Sequence, residues 1–97
     1  MQIELKKIDT TLSSRPAGKE AYAAILPSLK NLGEKEALEI NFDGILSFSP
    51  SWGDEFLSPL LDQFGDRLIL LPTDNLSVLK TLDLLEEVNG KKFNRKR

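Results

Sequence analysis

The chain contains no cysteine and no histidine. Without them there is no disulfide scaffold, no zinc site of the usual ligand type and no cysteine nucleophile. A Ser-His-Asp triad and a histidine general base are excluded with the same stroke. The metal chemistry left open is a carboxylate oxygen site for a hard cation. Long apolar runs are also missing. The longest charge-free stretch, Gly44–Gly53, falls far short of the roughly 20 residues a membrane helix needs. The first ten residues, MQIELKKIDT, carry charges where a signal peptide has its apolar core. These absences point to a cytoplasmic chain with no membrane partner. Glycine and proline are scarce, 6 and 5 of 97 residues, which excludes fibrous and low-complexity classes.

What is present is ordinary for one small globular domain: 40% hydrophobic and 29% charged residues, with a net charge of −2. The charge is unevenly placed. Lys91, Lys92, Arg95, Lys96 and Arg97 crowd the last seven positions, so residues 1–90 form an acidic body and residues 91–97 a basic tail. The acidic body disfavours nucleic acid as a partner. The tail reads as a solvated, frayed end, dispensable for folding, because no apolar periodicity continues past Val88 except a lone Phe93.

Apolar periodicity divides the body. Met1–Ile8 alternates and predicts a strand. The polar stretch Thr10–Ala17 predicts a loop. A helix follows from about Gly18, with Tyr22, Ile25, Leu26, Leu29 and Leu32 on one face and a kink or early end at Pro27. Ala37–Phe42 predicts a second strand and Arg67–Leu71 a third. Between them Trp52, Phe56, Leu57, Leu60, Leu61 and Phe64 form an amphipathic stripe. Ser51 is its expected N-cap, with Asp54 completing a capping-box-like pair. Asp74 or Asn75 opens a last helix that Asn89-Gly90 stops. The order β-α-β-α-β-α predicts an α/β domain of two layers. Its sheet is mostly parallel, the helices lie mainly over one face, and Glu4, Glu39 and Asn41 lie on the open face.

Two loops concentrate the chemistry. Ser47–Glu55 opens the second helix at the edge of a parallel sheet where ligands of such folds bind. Ser49 and Ser51 are candidate phosphoacceptors there, beside the positive end of a helix. The simpler reading makes Ser51 a cap, Trp52 a core anchor, and Asp54 with Glu55 complements to the helix dipole. Asp54 and Glu55 are adjacent, about 100° apart on a helix, so they do not pair as acid and base. Joined by Asp43 they are a weak candidate for carboxylate catalysis. The second loop, Ser13–Lys19, brings Ser14, Arg15 and Gly18 to a helix N-terminus, a site type that binds anions. It lacks the GxxxxGK[ST] phosphate-loop pattern. There Gly18 reads more simply as a residue admitting close backbone approach, and Arg15 as a partner for Asp54 and Glu55 across the same edge.

Taken together, Ser14-Arg15 and Gly18, then Phe42-Asp43-Gly44, then Ser51-Trp52 with Asp54-Glu55-Phe56, resemble the STAS-like domain family of unknown function. That family is related in fold to the anti-sigma-factor antagonist STAS domains of bacteria. The resemblance spans roughly residues 13–88. It implies a STAS-like fold and a non-enzymatic regulatory module of bacterial type, without a cofactor. The implied partner is a histidine-kinase-like ATPase or another regulatory protein. The implied interaction or switch residues are Ser49, Ser51, Asp54 and Glu55. Ser49-Pro50-Ser51-Trp52 stands where the antagonists carry an Asp-Ser-Ser-Gly type segment; the Asp is absent and the Gly is displaced to Gly53. The alternative is a small anion- or nucleotide-binding module using Ser14, Arg15 and Gly18.

Overall fold

The computed structural model describes residues 1–96. Its main sheet has four strands, all parallel, in the order β1 (Gln2–Glu4), β3 (Leu38–Asn41), β5 (Leu68–Leu70) and β6 (Asn94–Arg95). A separate parallel pair joins β2 (Thr11–Leu12) to β4 (Ser47–Phe48). The helices are α1 (Arg15–Leu29), α2 (Pro50–Phe64) and α3 (Leu76–Asn89). Strand order follows chain order, so successive right-handed crossovers advance one way and stack their helices on one face. The result is the expected small two-layer α/β domain, with α2 packed between α1 and α3.

The sheet's other face is open. β3 alternates buried Leu38 and Ile40 with half-exposed Glu39 and Asn41. Glu4 lies in register with Asn41, and the Asn41 amide donates across to Gln2 Oε1 at 3.2 Å. On the covered side, β-strand and helix side chains close around four aromatic rings in series. Phe42 meets Phe48 edge-on at 5.6 Å, Phe48 meets Trp52 edge-on at 5.6 Å, and Trp52 stacks on Phe56 at 4.7 Å. Trp52 is 1% exposed, the core anchor its stripe predicts.

Several local expectations fail for identifiable reasons. The first strand stops at Glu4, because a 3-10 turn over Leu5–Lys7 sinks Leu5 fully into the core. Asp9 Oδ1 then accepts from the Thr10 and Thr11 amides, at 2.7 and 3.3 Å, and turns the chain into β2. Ile8 is left 42% exposed. The stretch expected to be loop therefore holds both β2 and the start of α1. That helix begins at Arg15 rather than Gly18, since Pro16 suits a first turn. It also continues past Pro27 to Leu29.

The cap of α2 is Ser49, not Ser51. The Ser49 hydroxyl accepts from the Trp52 amide at 3.2 Å, and Pro50 takes the first helical position. Proline's fixed φ and missing N–H favour that placement, which moves the cap two residues upstream. The cap of α3 is Asn75, whose Oδ1 accepts from the Val78 amide at 3.2 Å, and Gly90 ends the helix at φ 69°.

The basic tail is not frayed over its described part. Phe93 is 6% exposed and packs into the core. Asn94 and Arg95 pair with Ile69 and Leu70 as β6. A single buried aromatic carries no periodicity, so the pattern hid it. Arg97 of the expected tail lies outside the described residues.

Candidate functional site

The starts of α1 and α2 meet at one sheet edge, and Gly18 sets how closely. A Cβ there would stand 2.5 Å from the Trp52 carbonyl oxygen, so only glycine lets the two backbones touch. On the other flank Gly53 makes room for side chains: its Cβ would fall 2.9 Å from Leu85 and 3.1 Å from the Phe48 ring. Gly18 is thus the residue of close approach, not an open ligand cradle.

This approach brings Arg15 over the first turns of α2. Its Nη1 donates to Asp54 Oδ2 and Glu55 Oε1, each at 2.9 Å. Adjacent carboxylates that diverge on the helix converge on one cation that stands between them. The bond from Arg15 holds the Asp54 carboxyl below its ordinary range, with partial burial opposing and a hydrogen bond from Ser58 assisting. The same two carboxylates raise the Arg15 guanidinium above its ordinary value. The network runs on into α3: Ser58 Oγ donates to Asp54 Oδ1 at 3.0 Å, and the Asn89 amide donates to Ser58 Oγ at 3.0 Å. One polar chain therefore ties all three helices together.

Beside it lies a shallow depression of about 130 Å³, lined by Arg15, Pro50, Ser51, Asp54, Leu84, Leu85 and Val88. Ser51, relieved of the capping role, is half-exposed on its wall. Leu84 and Val88 are 42% and 70% exposed. Leu84 carries no role in the sequence reading, where Val88 ends the last apolar periodicity. The signal was there: α3 carries more apolar residues than the buried face of Val78, Leu82 and Leu85 uses.

The other candidates separate. Asp43 lines a different depression, with Asp74 and Thr73 between the loops after β3 and β5. Among the described residues no group of three or more carboxylates is placed to hold a metal ion. At the start of α1, Ala17 N–H donates to Ser14 Oγ at 3.3 Å and Gly18 N–H to the Ser14 carbonyl at 3.3 Å. Pro16 has no N–H, so that first turn is largely satisfied within the protein. Comparison with family models, with curated proteins and with solved structures returns no match. Among the described residues, no helix is long and apolar enough to cross a membrane.

Proposed function

We propose that this chain is a non-enzymatic regulatory module that binds a protein partner through the start of α2 and the adjoining ridge of α3. The observation that carries this reading is the exposure of Leu84 and Val88 directly beside the Arg15–Asp54–Glu55 cluster. Apolar side chains rimmed by charge form the centre and edge of protein interfaces, where arginine is enriched. The resemblance to STAS-like domains supports the same conclusion and makes a histidine-kinase-like ATPase the partner class to test first.

Ser51 is the switch hydroxyl in this reading. Ser49 spends its oxygen on the Trp52 amide, whereas Ser51 shares the depression with Arg15. A phosphate on Ser51 adds about −1.5 to −2 charge at a helix N-terminus. It competes with Asp54 and Glu55 for Arg15 and repels both carboxylates, remaking the surface the partner reads.

The test begins with capture on the immobilised full chain from host lysate. The purified captured protein is then titrated against wild type, Leu84→Asp and Ser51→Asp. Recovery of an ATPase or other regulatory protein, with affinity lowered about tenfold or more in both folded variants, is the expected result. Equal affinity for all three chains overturns the placement of the surface.

A further inference from the structure

The segment after α3 lies along the outer edge of β5, and its attachments are of two kinds. The backbone ladder is minimal: Asn94 and Arg95 pair with Ile69 and Leu70, and the Lys96 amide donates to the Leu70 carbonyl at 2.8 Å. The rest is side-chain anchorage. Phe93 fills a seat in the core. Its amide donates to Glu86 Oε2 at 2.8 Å, and Arg95 Nη2 sits between Asp83 Oδ1 at 2.9 Å and Glu86 Oε1 at 3.1 Å.

The fit is incomplete. Arg95 Nε is buried with no hydrogen-bond partner among the described residues, a cost the segment bears in place. The outer ion pairs are exposed: Lys92 is 89% exposed, and the Lys91–Asp62 pair is 57% and 68% exposed. Salt screens such pairs readily. The segment also leaves α3 through Gly90, in a left-handed conformation with open space around it.

We propose that the β5 edge, together with Asp83 and Glu86, is a strand-receiving groove that residues 91–96 occupy in cis. A partner protein's extended segment of matching chemistry, an aromatic residue followed two positions on by arginine, takes their place. The groove selects that chemistry. It offers an apolar seat for the ring, two carboxylates for a cation, and the backbone carbonyl of Leu70 for an incoming amide. Unpaired strand edges are templates for such addition, in which the ladder gives affinity and the pockets give specificity. The cis segment works at the millimolar effective concentration of a short tether, so it yields only to a segment that fits better.

The test uses the full chain. Residues 91–96, made as a synthetic peptide, are titrated into a Phe93→Ala/Arg95→Ala chain whose fold is checked by circular dichroism, with amide NMR as readout. Saturable shifts at Ile69, Leu70 and Glu86, about tenfold or more weaker in wild type because the cis segment competes, are the expected result. A second measurement needs no variant. In wild type the Lys96 amide exchanges with solvent about 100-fold or more faster than the Leu82 amide, through local release of the segment. A folded variant whose β5 amides ignore the peptide, or a Lys96 amide as slow as that of Leu82, overturns the proposal.

Discussion

At the residue scale the most constrained position is Ser14. It caps α1 while holding φ 76° and ψ 144°, close to a region that only glycine occupies without strain. Such a backbone costs about 1–3 kcal/mol, whereas replacing a serine cap by glycine costs only a few tenths. Ser14→Gly is therefore expected to stabilise the protein by about 1 kcal/mol. Ser14→Ala removes the cap and keeps the strain, so it is expected to destabilise by about 1 kcal/mol. Urea midpoints of the two variants, moving in opposite directions, check this. The strain was invisible in the sequence, where Ser-Ser-Arg-Pro reads as an ordinary turn. The ion pair of Arg15 with Asp54 and Glu55 was legible, because two loops at one edge of a parallel sheet carried opposite charge.

At the element scale, length decided what could be foreseen. α2 announces itself through a stripe of six large apolar residues, and all six are buried. β2, β4 and β6 have two residues each, too few for any alternation to show, and none was foreseen. The cap of α2 was misplaced for a related reason. Ser49 and Ser51 are both good caps, and the proline between them makes the choice. Burial also sets the expected losses. Trp52→Ala is expected to cost about 3–5 kcal/mol, since its ring stacks on Phe56 and meets Phe48 at the centre of the core. Phe93→Ala is expected to cost less, about 1–2 kcal/mol, because the proposed local release of the segment it anchors would cap the loss. Thermal melts of the two variants, ranked in that order, test the difference.

At the scale of the whole molecule the pH response follows from three carboxylates. Glu4 is held below its ordinary range chiefly by a hydrogen bond from Lys7, Glu36 by the chain's amino terminus, and Asp54 by Arg15. Each prefers its charged form more when folded than when unfolded. Their contribution is therefore present above the ordinary carboxylate range of about 4 and is lost as pH falls through the lower folded values. The melting temperature is expected to be level from neutral pH to about 5 and to drop below about 4. In Arg15→Ala the Asp54 carboxyl should titrate at higher pH, read by carbon NMR. The layered architecture was legible from strand–helix alternation. The proposed interaction ridge was not, since Leu84 drew no notice and Val88 read as the end of the last apolar stripe until α3 is placed and its buried face found already full.

The order of the strands in the main sheet has a consequence for synthesis. Each strand pairs only with the one before it and the one after it in the chain. No early strand waits for a distant late one, so loop closure stays short and sheet growth can keep pace with emergence from the ribosome. Once β3 has emerged, β1 has its only neighbour in the main sheet, and β5 adds to the other edge of β3. Between those additions the growing edge stays exposed, and residues 91–96 cover it along β5.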